Sequence, residues 1–308
     1  MQRFNFFLSR LCAPFQSFLA LFCLFVGVAP ASAYPIFAQK AYSTPREETG
    51  RIVCANCHLA SKPVALEMPQ AILPSQVFSV RAEIPTAPTA QQVLGTGQKG
   101  PLNLRAVVIV PPNFRLAAPN ELSPEQKSAA KGVLFQPYSE EHPNMFVAGP
   151  LPANRKTTLT VNLVAPQSMP FRSYPVYVGG NRGRGQIYPD GQKSNNTVFT
   201  SPVKRRVDDI VTDAKGDLIV LNADRRNIEV EIPKGPDILV QKNQQVDVDQ
   251  PLTNNPNVGG FGQVQGEFVF QSPIRLISLQ MFLWSICLAQ IALVLKKKQI
   301  EVVQQQEV

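Results

Sequence analysis

The motif CANCH at residues 54–58 constrains this chain more than any other feature of its sequence. Two cysteines three residues apart lie on one side of a helical turn, so both sulfurs can bond one macrocycle through its vinyl groups. The histidine that follows can present an imidazole nitrogen to the iron. The spacing therefore predicts one covalent haem c, attached through Cys54 and Cys57, with His58 as an axial iron ligand.

Zinc sites and thiol redox sites use the same cysteine spacing and are the alternatives. Zinc requires four ligands, and no second cysteine pair follows in the sequence. A thioredoxin-like site would need a βαβ pattern around the motif, which is missing. Of the 5 cysteines, Cys12 and Cys23 lie in a leader and Cys287 lies in an apolar run. No thiol is left for a structural disulfide.

Residues 1–33 predict a cleaved signal peptide. Two arginines precede an apolar run at 18–28, and the small residues 31–33 suit a signal peptidase. An uncleaved anchor is the alternative, although the apolar run is short for a bilayer. Cleavage after residue 33 would make Tyr34 the mature N-terminus.

Residues 276–295 predict one transmembrane helix. The run has no charged residue and is long enough to cross the hydrocarbon core, and Lys296–Lys298 follow it. The denser positive charge places the 296–308 tail in the cytoplasm or its topological equivalent, with the large N-terminal part on the other side of the membrane. The alternative, a buried core helix, does not account for the abrupt lysine stop.

The exported part is mildly basic. Residues 34–275 carry 25 lysines and arginines against 20 aspartates and glutamates, a net charge of +5. This charge suits an acidic protein partner without requiring one, and nothing in the sequence resembles a nucleic-acid site.

Alternating apolar residues and frequent prolines and glycines predict a mainly β fold, an elongated large β-sandwich domain with a small β domain. The 28 prolines in the chain disfavour long helices. The predicted strands are Leu104–Val110, Thr157–Val164, Tyr174–Val178, Asp217–Leu221, Asn227–Ile232, Asp237–Val240 and Glu267–Phe270. The predicted domains are 34–201 (large, haem-binding), 202–262 (small) and 263–275 (a return to the large domain before the membrane), with 179–196 and 254–262 as loops.

Two capping boxes predict short helices. Thr44–Glu47 has proline at the first helical position and would begin a helix that runs into Cys54 and Cys57. Ser123–Gln126 repeats the signature, and that helix should end near Gly132.

Several groups could supply the second axial ligand. They are His142, one of Met68, Met145 and Met169, and the α-amine of Tyr34. His142 lies in an acidic segment typical of an exposed loop, and single methionines near prolines usually pack in a core. The α-amine is chemically suitable because its ordinary pKa of about 7.7–8.0 lets iron displace the proton at modest cost.

Several segments together resemble the cytochrome f family, and the resemblance covers the whole chain. They are 34–39 (YPIFAQ), 45–47 (PRE), 50–60 (GRIVCANCHLA), 177–190 (YVGGNRGRGQIYPD) and 255–262 (NPNVGGFG). The resemblance implies a thylakoid-membrane subunit of the cytochrome b6f complex, alongside cytochrome b6. It further implies a carrier, not itself an enzyme, that takes single electrons from the Rieske iron–sulfur protein and passes them in the lumen to plastocyanin or cytochrome c6.

The resemblance also implies roles for individual residues. The axial iron ligands would be His58 and the α-amine of Tyr34, and the haem would be shielded by Pro35, Phe37 and Pro150. An internal water chain would be lined by Gln92, Asn181, Gln186, Asn196 and Asn257.

One departure from the family pattern concerns docking. Plant members carry a lysine-rich ridge in the large domain, where this chain keeps only Lys99 among glutamines. Other positive clusters lie at Lys204, Arg205 and Arg206 and at residues 225–226, and they are candidates for steering an acidic partner. The alternative is an ordinary solvated face balanced by Asp208 and Asp209.

Two rival functions remain at this stage. A membrane-anchored haem enzyme or gas sensor would need one open axial position on the iron. A structural subunit that merely retains haem would not exchange electrons with a soluble protein.

Overall fold

The structure of the chain, a computed structural model, describes residues 36–153, 157–222 and 227–306. The fold is mainly β, as predicted. The described strands are β1 (Ala65–Glu67), β2 (Ala71–Ile72), β3 (Val77–Glu83), β4 (Gln91–Val93), β5 (Lys99–Pro101), β6 (Asn103–Ile109), β7 (Arg115–Leu116), β8 (Phe135–Pro137), β9 (Met145–Pro152), β10 (Thr158–Val164), β11 (Ser173–Arg182), β12 (Arg205–Thr212), β13 (Gly216–Leu221), β14 (Ile228–Pro233), β15 (Gln245–Val246) and β16 (Gly260–Phe270). The described helices are α1 (Ile36–Ala41), α2 (Pro124–Ala130), α3 (Pro273–Gln306) and a short 3₁₀ helix (Val53–Asn56).

Two sheets pack face to face around the main core. One has the order β1-β3-β10-β7, and the other has the order β2-β16-β11-β6-β9-β8. Because side chains alternate across a strand, each strand sends every second residue into the core, as Phe78, Val80 and Ala82 do from β3 and Leu159, Val161 and Leu163 do from β10. The result is a β-sandwich closed by apolar burial.

The six-stranded sheet is buried on its outer face as well. Leu104, Ala106 and Val108 of β6 point into the main core. Val107 and Ile109 point the other way, into a second cluster against which Cys54 and Ala55 pack. The 3₁₀ helix that carries the cysteine motif therefore lies on the outside of this sheet.

A third sheet, with the order β14-β13-β12-β15, has its own apolar core. That core is formed by Val207, Ile219, Leu221, Ile232 and Val246 with side chains from the flanking loops. The pairing of β12 with β13 contains a β-bulge between Val207 and Asp209. A separate two-stranded sheet pairs β4 with β5.

One predicted strand and the bounds of two predicted loops are wrong. Residues 237–240 do not form a strand, and their one ladder contact is an isolated bridge from Ile238 to Thr253. The predicted loop at 179–196 begins four residues too early, because 179–182 continue β11. The loop at 254–262 is likewise too long, since β16 begins at Gly260.

The helix predicted from Thr44 into the cysteine motif is wrong. The Thr44 hydroxyl accepts from the Arg46 backbone amide, two residues on, and the Glu47 carboxylate accepts instead from the Asn56 side chain at 2.9 Å. Gly50 has φ +87°, which ends any helical path. The chain instead makes a turn that is closed by a bridge between Arg46 and Ile52, and only the 3₁₀ helix follows.

The second capping box is confirmed. The Ser123 side chain accepts from the Gln126 backbone amide, and the Gln126 side chain accepts from the Ser123 backbone amide. Both partners satisfy amides that a helix N-terminus leaves open. The helix α2 ends at Ala130, and Gly132 takes φ +79° just beyond it.

The predicted transmembrane segment lies inside α3. This helix runs for 34 residues, and its most apolar stretch is long enough to cross a bilayer while none of it is buried against the rest of the chain. Length and apolar composition are what a membrane-spanning helix requires.

We expect Phe268→Ala to destabilise the fold by about 3–5 kcal/mol, because its ring is fully buried between the rings of Phe114 and Tyr174. The free energy of unfolding, measured by denaturant titration of the full chain in detergent, checks this. Val211→Ala is the control, since Val211 is 48% exposed, and its effect should stay within about 0.5 kcal/mol. Equal effects of the two substitutions would contradict the core assignment.

Candidate haem site

The cysteine motif is fixed to the sheet by its apolar neighbours. Ile52 and Val53 are almost fully buried, and the Ile52 backbone amide donates to the Gln263 side chain of β16 at 2.9 Å. The Val53 amide donates to the Pro45 carbonyl at 2.9 Å. These contacts hold the start of the motif against the outer face of the six-stranded sheet.

Both cysteines are placed on one side of a turn, as the spacing predicts. A 3₁₀ helix has three residues per turn, so Cys54 and Cys57 project in the same direction. The amides of Cys57 and His58 both donate to the Cys54 carbonyl, at 3.3 and 3.0 Å. Both thiols are free and partly buried, and burial raises the pKa of Cys54 to about 12. A neutral thiol in an apolar wall is inert towards metal until it is bonded or deprotonated.

His58 presents a neutral imidazole. Its Nε2 lies 2.9 Å from the Asn181 side-chain amide nitrogen, and since an amide nitrogen donates, Nε2 accepts. Its Nδ1 is buried without a hydrogen-bond partner among the described residues. Burial, followed by the charge of Arg105, lowers the pKa of His58 to about 4. The lone pair on Nε2 is thus available to a metal ion at neutral pH, once Asn181 gives it up.

The wall around Cys54 is mostly apolar. It contains Ala38, Pro45, Ala106, Val107, Tyr138, Val147, Gly179 and Phe261, with Arg105 and Asn181 as the polar members. An added Cβ on Gly179 would come within 2.8 Å of the Ile52 and Phe261 side chains, which would then have to shift. On the other side of the motif, His58 and Ala55 border an open cleft of about 620 Å³ that extends to Phe261.

Arg105 is a site residue that the sequence reasoning missed. It stands directly across from Asn181 in the pairing of β6 with β11, and Asn181 is the residue that contacts His58. Facing it in β9, a β-bulge contains Gly149 and Pro150. An added Cβ on Gly149, which has φ +103°, would lie 2.6 Å from the Leu104 carbonyl. One signal was available, because Arg105 interrupts an otherwise apolar strand at a position facing the same way as Val107.

Tyr138 is a second residue that was missed. Its hydroxyl lies 2.9 Å from the Ala38 carbonyl and 2.8 Å from the Tyr42 carbonyl, and its own carbonyl accepts from the Gln39 side chain at 2.7 Å. These bonds fasten α1 to the site wall, and burial raises the pKa of the phenol. No local sequence pattern marks this residue, since its partners are about 100 positions away.

Of the residues expected to shield a haem, two can be placed. Phe37 lies in α1 with 64% of its surface exposed, and its ring centroid is 6.0 Å from that of Tyr188. Pro150 is partly buried in the bulge opposite Arg105. Tyr34 and Pro35 lie outside the described residues.

Four of the five residues expected to line a water chain are buried, and several of them contact one another. The Gln186 side chain accepts from the Leu59 amide next to His58 at 2.8 Å and donates to the Arg184 carbonyl. The Asn196 side chain donates to that same carbonyl at 2.9 Å and to the Asn257 side chain at 3.1 Å. The chain of contacts therefore runs from the cysteine motif towards Asn257.

Unpartnered oxygens lie along the same path. The side-chain oxygens of Gln92, Asn181 and Asn196 are buried with no hydrogen-bond partner among the described residues. Gln92 donates to the Pro101 carbonyl at 2.9 Å and lies near Gly183. Buried amide oxygens of this kind are usually satisfied by internal water.

The basic cluster proposed for docking is partly neutralised. Lys204 forms an ion pair with Asp247 at 2.7 Å, and both side chains are exposed. Asp209, which was expected to balance the cluster, pairs with Lys242 instead. Arg205 and Arg206 lie at the start of β12, where their backbones pair with β15. Residues 225 and 226 lie outside the described residues.

His142 lies in the connection between β8 and β9. Its backbone contacts are local, within a turn that joins Ser139 to Met145. Within the described parts of the chain, no group of three or more histidine, cysteine, aspartate or glutamate side chains could hold a metal ion. The zinc alternative is therefore without a ligand set in those parts.

Two family models match the chain. One, described as apocytochrome F, N-terminal, matches residues 34–183, and the other, apocytochrome F, C-terminal, matches residues 195–308. Among curated proteins, a cytochrome f of Nephroselmis olivacea is 50% identical over 297 residues, covering 94% of this chain and 95% of the relative. A cytochrome f of Guillardia theta is 48% identical over 316 aligned residues, covering 97% and 98%.

A third relative, a cytochrome f of Rhodomonas salina, is 46% identical over 310 residues and covers 97% of this chain. Both halves of the chain match, and the match includes the cysteine motif and the long C-terminal helix. The chain belongs to the apocytochrome f family.

Proposed function

We propose that this chain is a membrane-anchored c-type cytochrome that carries single electrons within the cytochrome b6f complex. It would accept them from the Rieske iron–sulfur protein and pass them to plastocyanin or cytochrome c6 in the thylakoid lumen. Family membership supports an electron-transfer subunit of that complex. The observation that carries the proposal is the joint placement of Cys54, Cys57 and a neutral His58 on the outer face of the six-stranded sheet.

The residues at this site suit one covalent haem c. Two free thiols on one side of a turn match the two thioether bonds, and the adjacent imidazole matches the axial position. The mostly apolar wall suits a large, weakly polar macrocycle. The wall encloses only about 20 Å³, so attachment would have to move some of these side chains apart.

Haem bound here would supply a one-electron couple between ferric and ferrous iron. His58 would hold one axial position, and the α-amine of Tyr34 would hold the other after removal of residues 1–33. The N-terminal family model begins at residue 34, which supports this processing site. Tyr138 fastens α1 to the site wall through the bond from its hydroxyl to the Ala38 carbonyl. With both positions filled, no site remains for oxygen or peroxide.

The line of buried amides would hold internal water. Gln92, Asn181, Gln186 and Asn196 are buried, and the unpartnered oxygens of three of them can each accept from a water molecule. Asn257 closes the line through its contact with Asn196. Such a chain would solvate charge changes near His58 without opening the site to bulk solvent.

Docking of the soluble partner would depend more on long-range electrostatic attraction than on a large interface that excludes water. Electron-transfer contacts tend to be small and short-lived. Lys204, Arg205 and Arg206 would contribute to a positive field for an acidic partner, although the Lys204–Asp247 pair weakens it.

The charge asymmetry around α3 supports an orientation with the large part in the lumen and the tail at 296–308 in the stroma. We further propose that 34–201 and 202–262 fold as separate domains, which the distinct core of the third sheet supports.

Carbon monoxide separates this proposal from a haem enzyme or gas sensor. We expect the purified, reduced protein to show a low-spin haem spectrum that carbon monoxide leaves unchanged, because both axial positions are filled. Stopped-flow oxidation by a soluble copper protein should be rapid. A carbon monoxide adduct would identify a sensor, and failure to exchange electrons would identify a structural subunit.

Changes at the processing site test the second axial ligand. Residues inserted between Ala33 and Tyr34, or a blocked cleavage, should perturb the haem spectrum because the α-amine would be displaced or absent. Tyr34→Pro should alter or abolish the amine ligation because its N-terminal nitrogen is a secondary amine held in a ring, whereas His142→Ala is the control and should leave the spectrum unchanged. N-terminal sequencing of the mature protein establishes where cleavage falls. Loss of low-spin character in the His142 variant would contradict this ligand assignment.

Removal of the charge at Arg105 should lower the midpoint potential. A cation beside Asn181 and Cys54 favours the reduced iron, which carries one positive charge fewer, by on the order of 1 kcal/mol. Arg105→Gln should show this in a redox titration, with the axial-ligand spectrum intact. Arg81→Gln removes the same charge from an exposed pair with Glu67 and should leave the potential close to its original value. An unchanged or raised potential in Arg105→Gln would show that this charge does not act on the iron.

A further inference from the structure

The end of the six-stranded sheet is tied closely to the membrane anchor. The strand β16 ends at Phe270 and α3 begins at Pro273, so only two residues separate them. The Gln271 amide donates to the Ile72 carbonyl at 2.9 Å, and the Leu276 amide donates to the Ser272 carbonyl at 3.2 Å. A two-residue connection spans roughly 10 Å at most, so the C-terminal end of β16 lies within that distance of the first turn of α3.

An aromatic side chain from another part of the chain reaches the same place. The Phe171 ring stacks on that of Phe270, with centroids 5.9 Å apart and planes at 11°. The guanidinium carbon of Arg275, in the first turn of α3, lies 5.8 Å from the Phe171 centroid. Phe171 nevertheless keeps 47% of its surface exposed. Stacking and cation–π contact hold the ring at the level where the helix starts.

Other exposed apolar and basic side chains lie on the segments next to Phe171 and Phe270. Leu73 follows β2, which pairs with β16 at Phe270, and it is 36% exposed. Val269 is 38% exposed on the outward side of β16. Arg172 lies over the Tyr174 ring at 4.8 Å. We call Leu73, Phe171, Arg172, Val269 and Arg275 the anchor-proximal edge.

The two arginines of this edge are available to anions. Within residues 36–153, 157–222 and 227–306, neither Arg172 nor Arg275 makes an ion pair. Their contacts are with aromatic faces, which leave the guanidinium edges open. The edge thus combines exposed apolar groups with unneutralised positive charge, the pattern of a protein surface that lies in a membrane interface.

We infer that the anchor-proximal edge is a lipid-binding surface. Phe171 and Leu73 would lie at the boundary between headgroups and acyl chains, while Arg172 and Arg275 would bind anionic headgroups. A single helix leaves the attached domain free to tilt, and a second attachment point beside it would restrict that tilt. This inference rests on α3 crossing the membrane and not on the haem chemistry, so the two can fail separately.

Spin labels placed in the full chain test the depth of this edge. Phe171→Cys in a Cys287→Ser background would be labelled with a nitroxide in processed, haem-loaded protein, where Cys54 and Cys57 are bonded and no other thiol is free, with Val211→Cys in the same background as the matched control. Both positions are about half exposed in the free chain. The protein would be reconstituted in vesicles of phosphatidylcholine with phosphatidylglycerol, and collision with oxygen and with a water-soluble nickel chelate would be measured by electron paramagnetic resonance.

We expect the label at 171 to show a severalfold higher ratio of oxygen to nickel accessibility than the label at 211. Leu73→Cys should give the same result independently. Vesicles without phosphatidylglycerol, or Arg172→Gln, should lower the ratio at 171 by weakening the headgroup contacts. Equal ratios at 171 and 211 would overturn the inference. Shielding of residue 171 from both reagents in the assembled complex would also overturn it, because a neighbouring subunit would then cover the edge. The haem spectrum of the same samples reports separately on the proposed function.

Discussion

Burial of both faces of the six-stranded sheet is the constraint on which the rest of this structure depends. Its inner face closes the sandwich core, and its outer face seats the 3₁₀ helix of the cysteine motif. Each large apolar side chain removed from water contributes about 1.5–3 kcal/mol, so Ile52 and Val53 anchor the motif strongly. Cys54 is therefore held by the core and not by a free loop. A rigid seat of this kind limits how far a bound group can shift when its charge changes.

Six of the seven predicted strands form, because their signals are local, whereas ten of the sixteen described strands, including β3, β9 and β12, were not predicted. Val161 and Val178 belong to runs in which apolar residues alternate or cluster between turn residues, and both runs form strands. The segment at 237–240 has similar residues but finds no neighbouring strand beyond one bridge. Strand formation there is decided by long-range pairing, which a local pattern does not contain. The helix expected from Thr44 does not form for a related reason. The Glu47 carboxylate accepts a hydrogen bond from the Asn56 side chain and not from the amide at the expected helix start.

The same distinction applies to the residues of the site. Some could be predicted from neighbouring sequence, and others are brought to the site by contacts between distant segments. Cys54, Cys57 and His58 are adjacent in the sequence, so their joint placement follows from one short 3₁₀ turn. Arg105 and Tyr138 reach the site through strand register and through bonds spanning about 100 residues. Of these two residues, only Arg105 is marked by a local sequence pattern, because it is a charged residue in a mostly apolar strand. The roles expected of the buried amides came from the family resemblance alone, and the structure adds the contacts of Gln186 and Asn181 with the motif.

Buried polar atoms at this site would lower the stability of the fold if they had no hydrogen-bond partners. Buried atoms of His58, Gln92, Asn181 and Asn196 lack hydrogen-bond partners among the described residues, and each such group costs about 1–3 kcal/mol. A domain is stable by only about 5–15 kcal/mol, so these groups need partners such as internal water. Apolar residues of similar size would avoid these costs, yet here the polar groups line a continuous path from the motif to Asn257. A path of this composition is costly to keep dry, so its polarity supports the proposed chain of internal water.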